Sequence, residues 1–158
     1  AKPGEAAFAA SGTCLLTEGK NNIFLVTGGA DARVFRSNDR GALWFVSETP
    51  MIKGSAGSGI FSIAMFDAAN GVIVGGNYEK PNETGGNLAF TNDGGKTWMP
   101  GKGLNGYRSA VAFVDKNTII AVGSSGSDLT TDGGKTWKNL DKENYNAVQA
   151  NGKNAVWA

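Results

Sequence analysis

TNDGGKTWMP, Thr91 to Pro100, recurs almost intact as TTDGGKTWKN, Thr130 to Asn139, and in degraded form as SNDRGALWFV, Ser37 to Val46. The shared pattern, Ser/Thr-x-Asp-x-Gly-x-x-Trp, is carried by Ser37, Asp39, Gly41 and Trp44, by Thr91, Asp93, Gly95 and Trp98, and by Thr130, Asp132, Gly134 and Trp137. Each position has a structural task in a turn between two strands. The Asp carboxylate accepts bonds from nearby backbone N–H groups, and the Ser or Thr hydroxyl adds another local bond. Glycine permits positive φ, and tryptophan supplies a large apolar plate to pack near the outer strand. The motif therefore reads as a structural clip, and its use is to set a frame for the rest of the chain.

Outward from that frame, a repeating unit precedes each tryptophan. A first apolar strand is expected in AFAASGTCLLT (7–17), GIFSIAMFDA (59–68) and RSAVAFVDK (108–116). A second, β-branched and rich in glycine at its end, is expected in NIFLVTGG (22–29), GVIVGGN (71–77) and NTIIAVGSSG (117–126). Short third strands, ARVFRS, NLAFT and SDLTT, lead into the motifs, and fourth strands start around each Trp. The glycine pairs Gly28-Gly29 and Gly75-Gly76 read as strand-end turns, because no phosphate-loop spacing follows them.

Inner strands apolar on both faces cannot bury themselves alone and must stack sheet against sheet. The expected fold is all-β, a β-propeller of four-stranded antiparallel blades at about 5–50, 58–101 and 106–141, with a half blade at about 144–158. The tail segment NGKNAVWA echoes EGKNNIFLV at Glu18 to Val26, which supports that last half blade. The motif aspartates lie 54 and then 39 residues apart, so the longer unit needs insertions, placed at TPMIKGSAGSG and GNYEKPNETGG. About three and a half blades fall short of a closed ring, so the chain is expected to be part of a ring of roughly six to eight blades.

Composition narrows the chemistry. Twenty-four glycines against four prolines in 158 residues point to many tight turns between short strands. Fifteen basic and 14 acidic residues leave a net charge of +1, so no overall field favours nucleic acid or an anionic membrane. Histidine is absent, which excludes Ser/His or Cys/His nucleophile pairs and histidine metal sites within this chain. Cys14, the single cysteine, lies in an apolar run and reads as a small buried hydrophobe. No apolar run approaches a membrane span, and no cofactor or metal is expected. The N-terminus AKPGEAAFAA has neither an initiator Met nor a signal-peptide layout, which reads as a processed product or a fragment.

The repeated motifs resemble the Asp-box, or BNR, repeats of sialidases, oligoxyloglucan hydrolases, sortilin-type receptors and photosystem II assembly factors. The wider pattern, GEAAFAASGT, ARVFRSNDRGALW, GIFSIAMFDAANGVIVGGNYEKP and GYRSAVAF, resembles bacterial propellers grouped with the photosystem II stability/assembly factors. This resemblance implies a propeller fold with the boxes on outer hairpins, away from the central funnel where ligands bind. It also implies an extracytoplasmic setting, periplasmic, secreted or at the cell surface. Fold alone does not carry function.

Sialidase chemistry would need an arginine triad with Tyr, Glu and Asp partners, yet the chain has only Arg33, Arg36, Arg40 and Arg108. Arg36 and Arg40 flank a motif and are expected to face outward. Asp67 and Asp115 precede tight turns, where local turn chemistry explains them. No catalytic residue is therefore assigned. Candidate partner-binding groups are Asn77, Tyr78, Glu79 and Lys80 in the long insertion, Tyr107 and Arg108 at a strand start, and Tyr145 at the equivalent place in the last unit. Tyrosines filling a channel wall and a solvated loop would account for the same residues without a ligand. The function expected is a non-catalytic scaffold for a protein partner or for the remaining blades. The alternative is a glycan-binding or glycoside-hydrolysing propeller whose catalytic residues lie in blades outside this chain.

Overall fold

The structure, a computed structural model, describes residues 1–158. It is almost wholly antiparallel β-sheet. The strands are β1 (Glu5–Ala6), β2 (Leu15–Glu18), β3 (Asn22–Val26), β4 (Gly28–Gly29), β5 (Arg33–Ser37), β6 (Phe45–Glu48), β7 (Ser58–Met65) and β8 (Gly71–Asn77). They continue with β9 (Leu88–Thr91), β10 (Met99–Pro100), β11 (Ala110–Phe113), β12 (Ile119–Gly123), β13 (Gly126–Thr130), β14 (Lys138–Asp141), β15 (Gln149–Asn151) and β16 (Ala155–Trp157).

Three sheets and a hairpin follow one another in sequence: β2-β3-β5-β6, then β1-β4-β7-β8-β9-β10, then β11-β12-β13-β14, and finally β15-β16. The arrangement is consistent with part of an all-β propeller, and these sheets do not close into a barrel. One apolar layer lies between each pair of neighbours. Phe24, Val26 and Val34 of the first sheet meet Ile63, Ile73 and Ala89 of the second. The opposite face of the second sheet, Val72, Val74 and Leu88, meets Val111, Ile119 and Ala121 of the third. Val148, ahead of the last hairpin, covers Ala110 and Val122. Because side chains alternate faces along a strand, the wholly apolar run Val72-Ile73-Val74 feeds two layers at once.

Backbone bonds repeat at each junction between sheets. The carbonyls of Thr27, just past β3, of Gly75, inside β8, and of Gly123, at the end of β12, accept from the N–H groups of Ile60, Arg108 and Tyr145 in the chain entering the next sheet, at 3.1, 2.9 and 3.2 Å. This stacks the sheets in register and sets the entry points of β7 and β11 side by side.

Several local expectations need correction. The stretch 7–17 is not one strand, since Ala9–Ser11 forms a 3-10 turn and only Leu15–Glu18 pairs with β3. The second sheet has six strands, because β1 and β4 add to the edge of β7 opposite β8. The glycine pairs are not strand-end turns. Gly28-Gly29 forms β4, and Gly75-Gly76 lies inside β8. A Cβ on Gly75 would sit 1.9 Å from the carbonyl oxygen of Gly59, and one on Gly28 would be 2.9 Å from the Gly59 Cα. Glycine is needed there for close backbone approach.

The three motif turns form one hydrogen-bonded pattern. The hydroxyls of Ser37, Thr91 and Thr130 donate to Oδ1 of Asp39, Asp93 and Asp132, each at 2.8 Å. The same hydroxyl oxygens accept from the N–H groups of Gly41, Gly95 and Gly134 at 2.7, 2.9 and 3.0 Å. Trp98 packs across the layer with Phe24 of the preceding sheet, and a Cβ on Gly134 would meet Phe90 of its preceding sheet at 2.2 Å. Each of these two turns is thus wedged against the sheet before it. Trp44 has no such neighbour and is 43% exposed.

Candidate functional site

The chain enters β7 and β11 on the same side of the stack, and there four aromatic rings converge. Phe61 lies in β7 at a bulge between Ile60 and Ser62, where the pairing with β8 shifts register and leaves Phe61 without an opposite residue. A bulge re-aims a side chain, and the Phe61 ring stacks on Phe8 with centroids 3.8 Å apart and planes at 5°. Tyr107, three residues before the start of β11, meets Phe61 edge-on at 4.8 Å. Tyr78, the first residue past β8, stands edge-on to both Phe61 and Phe8, at 6.1 and 6.5 Å. Edge-to-face contacts of this kind satisfy the ring quadrupoles and hold the rings in fixed relative orientation.

These rings wall a cleft of about 380 Å³ that also takes in the small residues Ala7, Ala10 and Ser11. No carboxylate and no cation lines it. Tyr107 is 7% exposed, and burial raises its phenol to about 12, with the Ser11 hydroxyl beside it acting weakly the other way. It stays neutral throughout the physiological range. Tyr78 is 47% exposed and offers its ring to solvent.

The sequence-based candidates separate in the structure. Tyr78 and Tyr107 come together in the cleft. Asn77 is buried at the end of β8, its Oδ1 accepting from the N–H of Glu79 at 3.0 Å. Glu79 and Lys80 are exposed, and Lys80 pairs with Glu83 at 3.3 Å. Tyr145 lies on the far side of β11, packed with Ala110 and Val122, its hydroxyl 3.3 Å from Asp141. Asn146, beside it, is the residue that reaches the cleft.

Arg108 requires the largest correction, because it is fully buried and presents nothing to a partner. Its Nε and Nη2 donate to Oδ2 of the equally buried Asp128 at 2.9 and 2.5 Å. Nη1 donates to the Tyr107 carbonyl and the Ser125 hydroxyl at 2.7 and 2.8 Å, and Nη2 also reaches the Asn105 carbonyl at 3.2 Å. A guanidinium has five N–H donors, and all are used here within the protein. Arg108 ties the entry of β11 to β13. Arg40 is exposed as expected, whereas Arg36 is half-buried with its guanidinium over the Phe45 ring.

Phe8 and Phe61 were not legible as site residues. Phe61 sits in a run, GIFSIAMF, that reads as plain strand, and only the bulge turns it toward the cleft. No group of three or more acidic or cysteine side chains is placed to hold a metal ion, and no helix is long and apolar enough to cross a membrane.

No protein-family model and no curated protein matches this chain. Solved structures do. The chain is similar to YCF48 bound to a D1 peptide, at 18% identity and a TM-score of 0.52, over 85% of this chain and 42% of that one. It is also similar to the GH74 enzyme of Niastella koreensis, at 16% identity and a TM-score of 0.55, over 82% of this chain and 22% of the enzyme. An ancestral GH74 enzyme gives 14% identity and a TM-score of 0.54, over 87% of this chain and 20% of the other. The chain therefore spans less than half the length of each of these structures, and at such identities the likeness is one of fold.

Proposed function

We propose that the chain is a non-catalytic section of a β-propeller that binds a protein partner through the aromatic cleft of Phe8, Phe61, Tyr78 and Tyr107. The observation that carries this reading is the make-up of the cleft: fixed aromatic walls, one ring held open to solvent, and no carboxylate in its lining. Rigid aromatic walls suit an apolar side chain of a peptide, and tyrosine combines such contact with little entropy loss. Glycosidic cleavage by the common route needs two carboxylates flanking the bond. That YCF48 was solved with a D1 peptide supports peptide binding as a use of this fold.

On the same reading the units at about 5–50, 58–101, 106–141 and 144–158 are blades of a larger ring. The apolar far face of the first sheet supports this, as Leu15 and Val46 stand 55% and 46% exposed on it. An extracytoplasmic location belongs to this proposal too. Glycan binding is the second reading, favoured by the GH74 likeness in fold and by the capacity of an exposed ring such as Tyr78 to stack on a sugar.

Titrating the chain with a library of short peptides containing a central Phe, Trp or Leu, and separately with xyloglucan oligosaccharides, distinguishes the two. Peptides are expected to shift the Phe61 and Tyr78 resonances, and Tyr78→Ala is expected to weaken the best peptide by about tenfold. Saturable shifts with the oligosaccharides alone would overturn the protein-partner reading.

A further inference from the structure

We infer a second binding site, for a neutral polyhydroxylated ligand such as a single sugar ring, in the polar pocket bounded by Asn82, Thr84, Asn105, Ser125, Asn139 and Lys142. It stands apart from the aromatic cleft and does not depend on what that cleft binds. The pocket has a volume of about 310 Å³ and no hydrophobic residue in its lining. That size is at the lower end for small-molecule sites.

The buried Asp128 carboxylate organises this pocket from beneath. With Oδ2 occupied by Arg108, its Oδ1 accepts from the side-chain amides of Asn105 and Asn139 at 3.3 and 3.2 Å. An ionised carboxylate can only accept, so both amides must turn their nitrogens toward it. The second Asn139 amide hydrogen goes to the Ser127 carbonyl at 3.0 Å. Both Oδ1 atoms are therefore left as oriented acceptors without an internal partner. Lys142, Asn82 and Thr84 line the same pocket, make no side-chain bond within the protein and carry donors.

This pairing of acceptors and donors selects the ligand class. A hydroxyl both donates and accepts, so a ring carrying adjacent hydroxyls can donate to Asn105 and Asn139 and accept from Lys142 and Thr84. An apolar group would find nothing to touch, and an anion drawn to Lys142 would leave the two amide oxygens without a donor. The loop carrying Asn82 and Thr84 is itself anchored, because the Pro81 carbonyl accepts from the Tyr107 N–H at 2.8 Å. One wall of the pocket is thus held against the entry of β11.

The test follows side-chain amide resonances of Asn82, Asn105 and Asn139 while methyl α-glucoside, methyl β-galactoside, myo-inositol or sodium acetate is added to the full chain. Saturable shifts are expected with at least one polyol and none with acetate. Lys142→Ala and Asn82→Ala, both exposed positions, are each expected to weaken that binding by about fivefold, the loss of one hydrogen bond. Tyr78→Ala is expected to leave it unchanged. Silence with all three polyols would overturn the inference, as would shifts driven by acetate. Loss of the polyol response in Tyr78→Ala would place the ligand in the aromatic cleft instead and equally overturn it.

Discussion

At the scale of single residues, the three motif aspartates do the same work with different numbers of partners. Asp93 accepts from the Thr91 hydroxyl, from the N–H groups of Lys96 and Thr97 and from the Thr97 hydroxyl. Asp132 lacks one of those backbone bonds, and Asp39, with Leu43 in place of a threonine, keeps only the Ser37 hydroxyl and the Leu43 N–H. Replacement by Ala is therefore expected to destabilise in the order Asp93, Asp132, Asp39, with Asp93→Ala costing about 1–3 kcal/mol in urea denaturation. Equal effects at Asp39 and Asp93 would contradict this. Tyr107 gives a prediction in pH. Its folded pKa of about 12 lies above the value of roughly 10 for an unfolded tyrosine, so above pH 10 the unfolded chain has lost a proton the native one keeps. Stability from this group is complete below pH 10 and falls as pH rises toward 12. Tyr107→Phe keeps the ring and removes the ionisation, and is expected to flatten the alkaline part of the stability profile relative to the parent chain.

At the scale of elements, the junction between β8, β11 and β13 depends on the Arg108–Asp128 pair. Removing one partner of a buried ion pair leaves an uncompensated charge, so Arg108→Ala is expected to cost about 3–5 kcal/mol, read as a lowered denaturation midpoint. Tyr78→Ala, at a half-exposed ring outside the strands, is expected to leave that midpoint nearly unchanged while lowering peptide affinity. An Arg108→Ala chain as stable as the parent would mean the guanidinium is not the tie between β11 and β13. Much of each element was open to local reading. The β-branched run at 71–77 and the alternation leading into Thr91 mark strands by themselves, and the Asp turns carry their own chemistry. The burial of Arg108 was not readable, because its partner lies twenty residues on in another strand and nothing in GYRS distinguishes an interface arginine from an internal tie. Nor was the β7 bulge, since one extra residue in a strand leaves its apolar composition intact.

For the molecule as a whole, the decisive feature is a series of sheets apolar on both faces. Leu15, Leu25, Phe35 and Val46 are directly opposed across the first sheet and so share one face, the one turned away from the second sheet. A free chain with such a face is expected to self-associate in sedimentation experiments, and Val46→Lys is expected to shift it toward monomer. A parent chain that stays monomeric as concentration is raised would contradict the inference that this face belongs under another blade.

The amino-acid sequence by itself determined the strand-rich class, the repeated Asp turns and the need to stack, because these follow from local hydrogen bonding and from side-chain alternation within a few residues. Only the tertiary structure decided which polar and aromatic groups meet. Phe8 reaches Phe61 because β1 joins the second sheet through β4, and Asn105 and Asn139 share a pocket because both turn toward Asp128. Such contacts join residues far apart in the chain, and their identity is set by sheet order and register rather than by any neighbouring residue.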